Sequence, residues 1–260
     1  NSLSFAAYHS IQDYSTDVVD NRLDVIGLNL GLGKRLRWPD DYFSMNQSIN
    51  VQQYKLKNRV LVPGFSDGIS KNISYRTTFS RSSIFDPIFP KTGSQFTFIG
   101  HFTPPYSLFN KKDYSTMTLN EKYEWLEYFK IKLNGTWYAN PFADLVIKTQ
   151  SAFGFLMNYN SEVGLPPFER FFVGGDGLMG FNMDGREVIG LRGYANNSLS
   201  QHLTAGGSIY SKYTLELRYP LSLNPSSTIY ATGFAEAGNA WGSFSDFNPF
   251  EVKRSLGFGI

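Results

Sequence analysis

The feature that most constrains this chain is a strict alternation of apolar and polar side chains, sustained over segments of about ten residues. From Leu23 to Lys34, Ile26, Leu28, Leu30 and Leu32 fall on one face, and Gly27, Asn29, Gly31 and Gly33 on the other. From Ile73 to Ser80, Ile73, Tyr75, Thr77 and Phe79 oppose Ser74, Arg76, Thr78 and Ser80. The same pattern runs from Ser94 to Phe102, from Phe129 to Trp137 and from Ser208 to Tyr219. A period of two places alternate side chains on opposite faces of a strand.

Strand length separates the architectures that could use this pattern. Strands of soluble sheets average about 5–6 residues, whereas a strand crossing a bilayer at a tilt needs about 9–11. Several of these segments meet the longer figure. With Ser2–Ser10, Ser44–Leu56, Leu145–Gly154, Thr228–Gly238 and Val252–Ile260, about ten strands are expected. Lys130, Lys132, Lys212, Glu216 and Arg218 lie in mid-strand opposite the apolar face, which suits the polar interior of a membrane barrel. The expected fold is therefore all-β, a transmembrane antiparallel β-barrel. Short turns at Arg35–Asp41, Ala139–Asp144 and Pro220–Ser227 are assigned to the periplasmic side, and long loops at Lys57–Ser70, Thr103–Glu124 and Phe155–Gly207 to the outside. Thr118 and Glu121 have capping-box spacing, which predicts a short helix before Trp125 and Leu126.

Composition agrees and excludes other classes. Aromatics make up 17% of the chain, in keeping with the aromatic girdles of membrane barrels. A net charge of +2 gives no nucleic-acid footprint. The absence of cysteine rules out a disulfide scaffold and a Cys-based zinc site. No apolar run is long enough for a transmembrane helix. The residues after Asn1 already read as strand, so a signal peptide is expected to have been lost from the start.

The segment from Pro166 to Tyr194 is too long for a hairpin loop, and its glycines and aromatics oppose a reading as disorder. Phe168-Glu169-Arg170-Phe171-Phe172-Val173-Gly174-Gly175, followed by Leu191-Arg192-Gly193-Tyr194, resembles the sixth extracellular loop of the BamA-type outer-membrane protein assembly factors. That loop carries a Gly-Gly turn after an aromatic pair and then a Val-Arg-Gly-Phe-like tetrad. Three further segments resemble family strands: Phe89-Pro90-Lys91-Thr92-Gly93-Ser94, Thr214-Leu215-Glu216-Leu217, and Gly233 to Trp241. The insert between Gly175 and Arg192 resembles the version in Bacteroidota-type relatives.

The resemblance implies that residues 1–260 are an incomplete C-terminal barrel domain: about ten strands of a barrel of about sixteen, with 155–207 a loop inserted into the lumen. N-terminal periplasmic repeats and the terminal seam strands would be absent. Arg192 is expected to point into the lumen and pair with Glu216 and Glu236, the latter one methylene longer than the usual family Asp. Arg suits such a site because its planar fork stays charged and accepts carboxylates. The implied function is an insertase of the bacterial outer membrane rather than an enzyme, with no cofactor. Its implied partners are unfolded outer-membrane proteins, assembly-complex lipoproteins and outer-membrane lipids. A two-partner secretion transporter shares the Arg-Gly loop, and a passive porin or an outer-membrane hydrolase shares the architecture.

Other constellations read as structural. Gly64-Phe65-Ser66-Asp67-Gly68 matches a nucleophile-elbow pattern but lacks the strand before and helix after it. His9, His101 and His202 lie on separate segments at no metal spacing. Asp176, Asp184 and Glu187 offer oxygen ligands in a Gly-rich loop, but at no EF-hand spacing, and no metal site is assigned.

Overall fold

The computed structural model describes residues 1–16, 19–110, 112–177, 185–200, 203, 205–224 and 226–260. Ten antiparallel strands form one sheet in strict chain order: β1 (Ser2–Asp13), β2 (Arg22–Arg35), β3 (Phe43–Lys57), β4 (Gly68–Ser82), β5 (Gly93–Phe102), β6 (Phe129–Phe142), β7 (Leu145–Met157), β10 (Ile209–Asn224), β11 (Ser227–Trp241) and β12 (Lys253–Gly259). All ten coincide with segments that alternate in the sequence. Two short strands, β8 (Phe171–Val173) and β9 (Glu187–Ile189), pair in parallel inside the longest loop. No alternation marks them, because three residues are too few to carry a period. The sheet is open, with β1 and β12 at its edges.

The faces separate as the alternation requires. Ile26, Leu28, Leu30, Leu215, Leu217 and Tyr219 are exposed on the outer face, whereas Leu23, Val25, Thr214 and Glu216 are buried on the inner one. Among the described residues no helix is long and apolar enough to cross a membrane. The two helices of the described residues, α1 (Tyr106–Phe109) and α2 (Leu119–Lys122), sit in the loop between β5 and β6. The predicted capping box forms at α2: the Glu121 backbone N–H donates to Thr118 Oγ1, and the Thr118 N–H donates to Glu121 Oε2.

Two turns are tighter than the prolines implied. Strand pairing runs on to Phe142 with Leu145 and to Asn224 with Ser227, so Asn140-Pro141 and Pro220 belong to strands rather than to turns. At both places the register shifts, between Ala139 and Phe142 and between Pro220 and Ser222. A bulge is where a residue without an N–H fits into a ladder. The long loop is correspondingly shorter than Phe155–Gly207, since β7 continues to Met157.

The core lies between the inner face of the sheet and this loop. Leu23, Val25, Tyr54, Leu56, Leu156 and Tyr210 from the strands pack with Phe168, Phe171, Val173 and Leu191 from the loop. Phe168 stacks on Tyr54 of β3, with ring centroids 4.0 Å apart, while Arg192 reaches β10 and β11. In a flat sheet β3 and β11 would be about 29 Å apart, at six spacings of roughly 4.8 Å. A single compact loop touches both, so the sheet curves around it.

Candidate functional site: a loop seated on the inner wall

The loop begins its descent at Phe168 and turns at Gly174-Gly175. Both glycines have positive φ, 123° and 86°. A Cβ on Gly174 would lie 2.5 Å from the Ala195 carbonyl oxygen, and one on Gly175 only 1.8 Å from Asn196 Oδ1. The turn therefore demands residues without side chains. It also joins the two halves of the motif. Gly175 bridges to Leu191, and its N–H donates to the Tyr194 carbonyl at 3.0 Å. The Gly-Gly turn and the tetrad, separated in sequence, form one folded unit.

Each tetrad residue has a distinct place. Leu191 is fully buried in the core. The Arg192 guanidinium donates to Glu216 Oε1 at 2.7 Å and to Glu236 Oε1 at 2.8 Å, and its backbone N–H donates to Glu236 Oε2 at 2.7 Å. Its flat face lies 3.7 Å from the centroid of Phe234, a cation–π contact. Gly193 takes φ +85°, with the space for a Cβ limited by Ser255 of β12. The Tyr194 hydroxyl donates to the Arg254 carbonyl at 2.8 Å. The structure thus brings Leu191, Arg192, Gly193, Tyr194, Glu216, Glu236, Gly174 and Gly175 into one region. The extra methylene of Glu236 lets its carboxylate reach both the side chain and the backbone of Arg192.

The strands surround this contact with further charge. Glu216 also accepts from Arg218 at 2.6 Å and pairs with Lys148 at 3.4 Å. Lys212 lies 3.4 Å from Glu236 and donates to the Gly190 carbonyl at 2.6 Å. Glu216 and Glu236 face each other diagonally on adjacent strands, where Thr214 pairs with Glu236 and Glu216 with Phe234. Two carboxylates placed so closely require cations between them. Arg192 supplies one from the loop.

A second seat, absent from the sequence reading, holds the other half of the loop. Lys130 of β6 is only 1% exposed, and pairs with Glu169 at 3.0 Å and Glu187 at 2.8 Å. Lys132 pairs with Glu187 at 2.7 Å. Glu169 adopts φ +67°, and its carbonyl also accepts from Lys130 at 3.0 Å. The Lys130 ammonium lies 4.7 Å from the Phe171 ring centroid. The only signal in the sequence is the placement of Lys130 and Lys132 on the inner face of a strand. Glu187, which offers an oxygen ligand but is assigned to no metal site, pairs with these lysines. Asp184 and His202 lie outside the described residues, and no cluster of metal-ligating side chains occurs among the described ones. His9 and His101 stand on separate strands, β1 and β5. Ser66 donates to its neighbour Asp67, and a strand, not a helix, follows.

A curved antiparallel sheet of bilayer-length strands, apolar outside and wrapped round its own longest loop, defines an outer-membrane β-barrel fold. The chain belongs to the Omp85 superfamily, whose domain model matches residues 2–260. Among solved structures, it is similar to BamA from Haemophilus ducreyi lacking POTRA domains 1-3, with a TM-score of 0.67 at 15% identity. The match covers 98% of this chain and 52% of that one, so this chain spans about half the length of that protein. A search of curated protein sequences found no match.

Proposed function

We propose that this chain is barrel-forming sequence of an outer-membrane protein assembly factor, which catalyses the folding and insertion of β-barrel proteins. The observation that carries the reading is the seating of Arg192 on Glu216 and Glu236, which fixes a long loop against the inner wall. A porin needs an open lumen, whereas this loop fills the inner face with packed side chains. In this reading the site performs no bond chemistry and needs no cofactor. Folding of the substrate supplies the driving force, and the barrel lowers the barrier by offering strand edges, as in β-augmentation, and by perturbing adjacent lipid. The partners would be unfolded outer-membrane proteins, lipoproteins of an assembly complex and outer-membrane lipids, at the bacterial outer membrane.

The test uses the full-length parent protein in liposomes. The folding rate of an unfolded outer-membrane protein is followed by its heat-resistant gel shift. Acceleration over empty liposomes, and over liposomes holding an unrelated barrel, is the expected result. No acceleration, with export of a single dedicated protein instead, would replace this reading with a two-partner secretion transporter.

A further inference from the structure

On the inner wall, the strand registers place Arg76 of β4 directly opposite His101 of β5, and His101 directly opposite Lys130 of β6. Three basic side chains thus stand in one row. Arg76 and Lys130 are the two charged members of the row, about 10 Å apart at two strand spacings, with the imidazole between them. At the Lys130 end the counter-charge is present, since Glu169 and Glu187 engage Lys130 and Lys132. At the Arg76 end it is not: no carboxylate of the described residues pairs with Arg76. The Nε2 of His101 is buried there without a hydrogen-bond partner.

Beside this row lies a chamber of about 310 Å³, lined among others by Arg76, His101, Lys132 and Arg186 and by the carboxylates Glu169 and Glu187. Even leaving Arg186 aside, the three cations Arg76, Lys130 and Lys132 face only two carboxylates. The neutral walls are already satisfied in part by one another: Gln52 donates to the Tyr8 hydroxyl at 2.5 Å, and Asn29 donates to Asn50. What is left unmet is the Arg76 guanidinium and the buried His101 Nε2, carried by opposed residues of neighbouring strands that both line the chamber.

We infer that this chamber binds a small oxyanion, a phosphate or phosphate ester, between Arg76 and His101. The planar fork of Arg76 would take two oxygens of the anion. His101 Nε2 would carry a proton and donate it as a hydrogen bond to a third oxygen, and Lys132 would add charge from β6. The inference is independent of the insertase reading, since it rests on the wall of the barrel and not on what the barrel assembles.

The test is a titration of the full-length protein in detergent micelles, labelled with ¹⁵N on histidine. Inorganic phosphate is added at constant ionic strength balanced with chloride. One imidazole signal, identified by its loss in His101→Gln, is expected to move saturably. Arg76→Gln should weaken the apparent affinity by about tenfold or more, as loss of a charge-assisted pair would. Arg81→Gln, outside the chamber, should leave it unchanged. α-Glycerophosphate run in parallel separates the sources: tighter binding assigns a phosphate ester, equal or weaker binding the free ion. If Arg76→Gln fails to fold, Arg76→Lys keeps the charge without the fork and should weaken binding to a lesser degree. A displacement that follows ionic strength alone, or saturates equally in the Arg76 variant, overturns the inference.

Discussion

Arg192 meets Glu236 twice: its guanidinium donates to one carboxylate oxygen at 2.8 Å and its backbone N–H to the other at 2.7 Å. The contact therefore fixes both the side chain and the chain path of the loop. Glu236 is 2% exposed but Arg192 is 35% exposed. Breaking a fully buried pair costs about 3–5 kcal/mol, and exposure reduces this, so Glu236→Ala is expected to cost about 2–3 kcal/mol locally. Glu236→Asp should keep one of the two contacts and cost less. Amide hydrogen exchange at Leu191 to Tyr194 is the readout. Unchanged protection in Glu236→Ala would show that packing alone seats the loop.

Gly175 gives a test of the turn free of charge. A Cβ at this position would meet Asn196 Oδ1 at 1.8 Å, on a backbone with φ +86°. Gly175→Ala should cost about 1–3 kcal/mol from backbone strain alone, with the clash added. Faster proteolysis within 158–208, in a barrel that keeps its heat-resistant gel mobility, is the expected signature. Gly233→Ala is the control, because nothing lies within 4 Å of its Cβ position.

The strands and the tetrad were legible in the sequence for different reasons. Ile26, Leu28, Leu30 and Leu32 declare a strand because alternation is a local property, readable along the chain. Arg192 was placed by resemblance, and its two carboxylates followed from the same source. Proline misled at Pro141 and Pro220, since a bulge absorbs the missing N–H and the strand continues. The second seat was not legible. Lys130 meets Glu169 and Glu187 only because the sheet curves and the loop turns back. Curvature is not written in any local pattern.

That second seat should be energetically coupled within itself. Lys130→Met leaves Glu169 without its cation and Glu187 with Lys132 alone. The expected cost is about 3–5 kcal/mol, because an uncompensated buried carboxylate remains. Adding Glu169→Gln to Lys130→Met should recover part of it, with a coupling of about 0.5–3 kcal/mol in a double-mutant cycle. Denaturant midpoints of the full-length protein in micelles give the four corners. Simple additivity would mean that Lys130 acts through its stem and the Phe171 contact rather than through its charge.

On the assembly-factor reading, the two seats divide stability from function. Lys130 holds Glu169 and Glu187, beside the short β8–β9 pair, whereas Arg192 ties the tetrad to β10 and β11. With the Lys130 seat intact and Leu191 still buried, Arg192→Ala should leave the barrel folded and heat-modifiable. The tetrad would then lose the one cationic link that the described loop residues make to Glu216 and Glu236, leaving Lys148, Arg218 and Lys212 to neutralise them. On the assembly-factor reading, substrate folding in liposomes should slow by about tenfold, equivalent to about 1.4 kcal/mol of lost barrier lowering. Arg192→Lys should recover little, because a point charge replaces the fork and loses the flat contact on Phe234. Wild-type assembly rates in Arg192→Ala, with the gel shift of the barrel itself unchanged, would make the tetrad a structural clasp with no part in insertion.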